Sequence, residues 1–468
     1  MTLSTLERRL RGAIPAGVDF ASVRYLRQED EIVSVRQDVP QPLVRAVDAG
    51  VMITVVADGA LGYAATSDLS EGGLKDAARR ATKWAKLAVG RSVTDFSKID
   101  WPHESGQYAG PDETPWASMT LDAKFDLLTG ESKRLKVDPR VVDWQASLWH
   151  TAVESLYLTS TGGTIEQRFR YLAPDLRATA NEGDQTQTRS LEARAACRQG
   201  GLEVIDQVGF RELLAAENCP TGEMDLILAP DQMVLQVHES IGHPLELDRI
   251  LGDERNYAGT SFVTTDMLGT YRYGSELLNI TFDPTRPGQL ASYGWDDEGR
   301  PAEKTFLIRQ GVLERPLGGT VSQARAGKSG VANARACSWN RPPIDRMANI
   351  NLEPGDSTLE AMIAQTARGV YMQTNCSWSI DDSRNKFQFG CEWGRLIEDG
   401  KLTKLVKNCN YRGISATFWR SLAAVGSAAE VRVMGTPNCG KGEPNQMARV
   451  AHACPPAKFT GVHVFGGA

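Results

Sequence analysis

The chain has 468 residues, 41% of them hydrophobic, and its 52 Lys and Arg against 58 Asp and Glu leave a net charge of −6. That length favours two or three domains with ample packed core. No basic face points to nucleic acid, no apolar run approaches membrane-spanning length, and the charged N-terminus lacks the apolar stretch of a signal peptide, so a cytoplasmic protein is expected.

Taken in order, residues 1–12 read as an amphipathic helix with Ser4 and Glu7 spaced as a capping box. Residues 21–27 and 31–36 are predicted as two strands, and Asp58-Gly59 as the turn of a hairpin joining 51–56 to 60–64. Ser70 can cap a helix running to Ala88 whose apolar stripe suits it to cover a sheet. Residues 97–117, rich in Pro, Gly and Asp, read as a surface loop, and the His103-Glu104-Ser105 triplet inside it has no second histidine at ligand spacing. A second helix is predicted over 121–135, followed by alternating segments at 141–149, 153–158, 164–172 and 189–197. Cys219-Pro220-Thr221-Gly222 marks a boundary, giving an N-terminal mixed α/β domain (1–218) and a C-terminal domain (219–468). The latter reads as mainly β and curled, with strands at 277–282, 305–309 and 396–398, and a mobile loop at 251–274. It holds one clear helix, for which Ser357 and Glu360 form a capping box. The class is α+β. The eight cysteines are scattered without a C-x-x-C pair, which suggests reduced thiols.

The chemistry concentrates between Ala229 and Asp248. Residues 224–228 form a short apolar strand, Pro230 and Asp231 suit a first helical turn, and Met233, Val234, Val237 and Ile241 recur at helical spacing. His238 and Glu239 lie off that stripe. The spacing is His-Glu-x-x-x-His, one residue longer than the H-E-x-x-H zinc motif, and on an α-helix residues five apart are rotated by about 140°. His238 and His243 therefore need a break in the helix to share a metal. Gly242, tolerant of a left-handed backbone, and Pro244, which pushes His243 out of the helical region, are expected to end the helix near Ile241. Glu239 is then placed as a general base. A catalytic zinc needs a third protein ligand. Cys439, in a glycine-flanked loop where Lys441 would favour the thiolate, ranks ahead of Glu246 and His452, with Cys454 in a plainer setting. Asp296-Asp297-Glu298 and Asp381-Asp382 read as turn and cap residues rather than ligands.

These motifs resemble a known family. H-E-S-I-G-H-P-L-E-L-D at 238–248 and N-C-G-K-G at 438–442 are similar to the metal-bearing TldD subunit of the TldD/TldE (PmbA) metalloproteases. So are Asp297-Glu298-Gly299, the segments at 351–355, 380–390 and 453–457, and the N-terminal A-D-G-A-L-G-Y-A-A-T-S-D-L stretch. The resemblance implies His238, His243 and Cys439 as ligands of one Zn2+ per active subunit and Glu239 as the catalytic residue. It implies an N-terminal α/β domain, a curled β domain, and a dimer either with a TldE-like subunit or with itself. The substrates it implies are unfolded peptides or small unstable proteins. Pro244 and Leu247 depart from the residues familiar at those places. Rival expectations are a non-catalytic peptide-binding or gyrase-associated subunit, and a cysteine hydrolase pairing Cys439 with His452.

Overall fold

The computed structural model describes residues 3–183, 185–191, 197–207, 217–442 and 445–466. The first sheet is built from β1 (Phe20–Arg36), β2 (Val44–Ala57), β3 (Ala60–Thr66), β4 (Ser105–Ala109), β5 (Val141–Thr159) and β6 (Thr164–Glu182), in the order β3-β2-β1-β5-β6-β4. All neighbours are antiparallel except β4 against β6. The helices α1 (Leu3–Arg11), α2 (Glu71–Ala88) and α3 (Leu121–Leu135) accompany it. Ser70 caps α2 as expected, accepting from the Gly73 N–H, and the α2 stripe of Leu74, Ala77, Ala81 and Ala85 is buried in one cluster with Val51, Ile53 and Val55. Helix α1 spans Leu3–Arg11, and the predicted cap residue Ser4 falls among residues whose side chains lie outside the described ones.

Two predicted breaks are absent. The polar run Gln28-Glu29-Asp30 does not divide β1, because Asp30 accepts hydrogen bonds from Trp149 and Thr151 on the neighbouring β5. The segments predicted at 141–149 and 153–158 are likewise one strand. The segment predicted at 189–197 falls partly outside the described residues; a strand at Gln185–Ser190 precedes that gap.

The C-terminal half is a mixed sheet closed into a five-strand barrel. Its strands are β7 (Gly222–Leu228), β8 (Arg368–Ile380), β9 (Lys386–Glu398), β10 (Lys401–Lys407), β11 (Cys409–Ile414), β12 (Arg432–Lys441), β13 (Gln446–Cys454) and β14 (Ala457–Gly466). The ring runs β9-β8-β7-β14-β11 and closes where β11 pairs back onto β9; β10 extends from β9, and β12 and β13 form a separate hairpin. The helices of this half include α4 (Pro230–Val237), α5 (Leu247–Leu251) and α6 (Thr320–Ala326). The barrel is curled against α4, whose Gln232 and Gln236 both hydrogen-bond the Tyr411 hydroxyl of β11, and Met233 and Val237 join Leu226, Met372, Phe389 and Phe459 in the main core. Closure leaves these strands without open edges. The helix at Leu359–Ala364 is capped by Thr358, one residue after the predicted Ser357, through the Ala361 N–H.

Candidate metal centre

Strand β7 runs into Ala229 and Pro230, and Pro230 opens α4 at a position where a missing N–H costs nothing. The helix does not end where Gly242 and Pro244 were expected to end it. From His238 to Gly242 it widens into a π turn, and the His243 N–H donates to the His238 carbonyl. A π turn closes i→i+5 hydrogen bonds, so residues five apart come to share a face. Gly242 (φ −56°, ψ −64°) and His243 (φ −61°, ψ −41°) both stay right-handed. This corrects the expected break: the extra residue between the histidines is absorbed by widening the helix, not by leaving it. Glycine is needed at 242 for space, since a Cβ there would lie 2.0 Å from the Met347 sulfur. Pro244 enters a 3-10 turn at His243–Leu245. The Ser240 carbonyl, which an α-helical residue 244 would bond, accepts instead from the buried Tyr273 hydroxyl.

The π turn sets His238 and His243 with rings near perpendicular (88°), and β12 brings Cys439 between them after a bulge that follows Thr436. Cys439 Sγ is 3.3 Å from His238 Nε2 and 3.6 Å from His243 Nε2, and the three side chains' ligand atoms all lie within 4.8 Å of one another. Each residue is at most 5% exposed. Zinc bonds of about 2.3 Å to sulfur and 2.0–2.1 Å to nitrogen, at a tetrahedral angle, put S and N about 3.6 Å apart, so the donor set fits a single cation.

A further layer fixes which ring nitrogens face inward. His452 Nδ1 donates to the Ile350 carbonyl (2.8 Å), which leaves its Nε2 to accept from His238 Nδ1 (3.0 Å). His243 Nδ1 donates to Glu246 Oε2 (3.0 Å). Both ligand-candidate histidines are thereby held with Nε2 lone pairs toward Cys439, tautomers that follow from the hydrogen-bond network. Glu246 and His452, the runners-up for third ligand, each stand behind one histidine. Burial would raise the Glu246 carboxyl, but Lys441 and His243 hold it well below the usual carboxylate range. Burial likewise pushes the Cys439 thiol up, and Arg346 and His243 outweigh it so that the thiol falls below its ordinary value. Arg346, fully buried, also donates from Nη2 to the Cys439 carbonyl (2.7 Å). Lys441, expected to serve Cys439, is instead bonded to Asp248 and the Asp345 carbonyl. Cys454 stays out of the cluster, its thiol pushed up to about 12 by burial.

Glu239 projects from the same π turn. Its Oε2 accepts from the half-buried Arg384 Nη1 (2.9 Å), and no described residue bonds Oε1. Arg384 sits at φ +62° in the turn between β8 and β9. As expected, Asp381 serves that turn, accepting the N–H groups of Asn385 and Lys386. Arg384 lies inside the 380–390 stretch that carries part of the resemblance, but nothing in its local pattern points to a role beside Glu239, and Arg346 falls in no such stretch. The segment predicted as a mobile loop is tied to this turn, with the Thr260 and Phe262 N–H groups donating to the Asp382 and Ser383 carbonyls. His103 is exposed and far in sequence from these elements.

Comparison with known proteins points the same way. Residues 221–466 match the family description "PmbA/TldA metallopeptidase C-terminal domain", and residues 21–85 match its domain 1. The chain is 27% identical over 465 residues to a metalloprotease of Synechocystis (96% of each chain). It is 25% identical over 445 residues to the metalloprotease TldD homolog of Haemophilus influenzae (91% of this chain, 88% of that one). Among solved structures, TldE from Thermococcus kodakarensis superposes with a TM-score of 0.72 at 18% identity, covering 99% of this chain and all of that one. A Thermotoga maritima protein described as a candidate DNA gyrase modulator superposes with a TM-score of 0.77 at 16% identity, again covering 99% and 100%.

Proposed function

Because the chain belongs to the TldD/TldE (PmbA) family of metallopeptidases, we propose that it is a zinc-dependent peptidase whose cation is held by His238, His243 and Cys439 and whose general base is Glu239. One observation carries the reading: a thiol of favoured deprotonation lies 3.3 and 3.6 Å from two Nε2 atoms, all three within 4.8 Å of one another, with an unengaged carboxylate oxygen on the residue beside the first histidine. A zinc ion so held supplies Lewis acidity toward a scissile carbonyl and makes a water at the site more acidic. Glu239 Oε1 accepts that water's proton and returns it to the leaving amine. Arg384 occupies Oε2 and holds the carboxylate in one orientation, so the proton moves at one defined oxygen. His452 and Glu246 keep both imidazoles in the liganding tautomer.

The substrate is an extended segment of an unfolded peptide, recognised through main-chain pairing that tolerates varied side chains. A TldE-like subunit, or a second copy of this chain, completes the assembly; the likeness to a solved TldE supports this. The natural division of the chain is 1–218 and 219–468, with the catalytic groups in the second part. The cysteine-hydrolase alternative is disfavoured because His452 Nε2 is engaged with His238, not with Cys439. Glu239→Gln is expected to abolish cleavage of an unfolded peptide while metal content is unchanged. Cleavage at the wild-type rate by that variant would overturn the assigned base, and activity that survives a chelator would overturn the metallopeptidase reading.

A further inference from the structure

Between the first sheet and the C-terminal half lies a chamber of about 230 Å³ that the proposed peptidase chemistry does not use. One wall is the face of β1, β2 and β3 that carries Ser22, Arg24, Thr54 and Tyr63; opposite stand Asp297, Glu298 and residues of α6. Period-two alternation puts Ser22 and Arg24 on one face about 7 Å apart. None of His238, Glu239, His243 and Cys439 lines it.

Its chemistry is polarised. Arg24 is 4% exposed, and its Nη2 donates to the Ser338 (3.1 Å) and Arg341 (2.6 Å) carbonyls, while its Nη1 has no partner among the described residues. A buried guanidinium nitrogen left unpaired is costly and calls for an acceptor. The facing wall has the opposite surplus. Asp253 is paired with Arg325 and Asp248 with Lys441. Asp345 accepts the Asp248 and Gly319 N–H groups, Asp297 accepts the Ala336 N–H, and Glu298 accepts from the Thr320 N–H and hydroxyl; neither Asp297 nor Glu298 has a salt-bridge partner among the described residues. Burial, then the neighbouring Asp296, pushes Glu298 up to about 8, which an entering cation would relieve. The rest of the lining includes the apolar and aromatic Met52, Leu61, Phe96 and Trp101. The volume is below the roughly 300–1,000 Å³ of pockets for drug-sized ligands, so the occupant is about one residue in size.

We propose that this chamber binds a free α-amino acid with a large apolar side chain, its carboxylate on Arg24, its ammonium on Asp297 and Glu298, and its side chain against Phe96 and Trp101. A zwitterion is the ligand class that answers both surpluses at once, and the aromatic wall selects an apolar side chain. The site is separate from the triad, so the inference stands or falls independently of the peptidase reading.

Calorimetric titration of the full chain with L-phenylalanine and L-leucine tests it. Saturable binding with one site per chain is expected, unchanged after chelator treatment. Binding should weaken at least tenfold for N-acetyl-L-phenylalanine and for L-phenylalaninamide, each of which lacks one charge. Arg24→Met should abolish it. Because Arg24 also ties two carbonyls and that variant risks misfolding, the isosteric Glu298→Gln and the chamber-filling Thr54→Phe serve as second probes, each expected to weaken binding at least tenfold. Absence of saturable binding by either amino acid would overturn the proposal. So would binding unaltered by the blocked analogues or by both second-probe variants, or binding that disappears with the chelated metal.

Discussion

Gly242→Ala separates two explanations of the glycine in the π turn. Were Gly242 left-handed, as its place before His243-Pro244 suggests, alanine would be strained by about 1–2 kcal/mol in the backbone itself. The observed φ of −56° removes that cost, and in a right-handed turn alanine gains about 1 kcal/mol over glycine. Against this stands the new methyl, 2.0 Å from Met347 Sδ, 3.1 Å from its Cγ and 3.3 Å from its Cε, where contacts prefer about 3.5–4.0 Å. Met347 is fully buried, so either it or the π turn must shift by more than 1 Å, an overpacking cost of about 1–3 kcal/mol. The net loss of stability is thus small, about 0–2 kcal/mol. The displaced turn carries His243 as its next residue, so metal affinity should show the damage: at least a tenfold loss, or about 1.4 kcal/mol, in competition titration against a chromophoric chelator. Gly242→Ala/Met347→Ala should recover that affinity while losing about 2–5 kcal/mol of stability to the truncated methionine. Wild-type affinity in the single variant, or a loss that the double variant does not repair, would refute the reasoning.

Two further expectations rest on other groups. Arg384→Ala should lower kcat by about 10–100-fold with KM nearly unchanged, the size expected when a positioned proton-transfer group loses its orientation. Arg384→Lys should recover part of it; a rise in KM with kcat unchanged in Arg384→Ala would show that Arg384 acts elsewhere. Glu392, which accepts from the Ser190 hydroxyl (2.7 Å) and N–H (3.1 Å), is raised to about 7 by burial. Its folded value exceeds its unfolded one, so its contribution is fully present below about pH 4.5 and is lost as pH rises through 7, a span of about 3 kcal/mol. Denaturant midpoints of Glu392→Gln should therefore match wild type near pH 4.5 and exceed it at pH 8; parallel curves at both pH values would contradict the assignment.

The features legible in the sequence are those held by local forces. The α2 cap, the Asp58-Gly59 hairpin and the helix over 121–135 rest on neighbours within a turn or two, and each stands where its pattern placed it. The candidate ligands were legible because imidazole, carboxylate and thiol in H-E-x-x-x-H and N-C-G-K-G have few other joint uses. The bend that unites them is not legible locally: a π turn has no composition of its own, and what holds it, the close approach to Met347 and the Tyr273 hydroxyl on the Ser240 carbonyl, arrives from residues 33 and more positions away. The same holds for Arg384, which the turn between two barrel strands brings to the site, and for Arg346, which follows the short strand Ile344–Asp345. The long strands were split for a related reason, since Asp30 is satisfied by Trp149 and Thr151 across the sheet.

Zinc K-edge X-ray absorption on the zinc-loaded protein tests the convergence of His238, His243 and Cys439 most directly. The expected spectrum contains one sulfur scatterer at about 2.3 Å and two imidazole nitrogens at about 2.0–2.1 Å, with the sulfur lost in Cys439→Ser and one imidazole lost in His243→Ala. A first shell of nitrogen and oxygen alone in the wild-type protein, unchanged by Cys439→Ser, would contradict it.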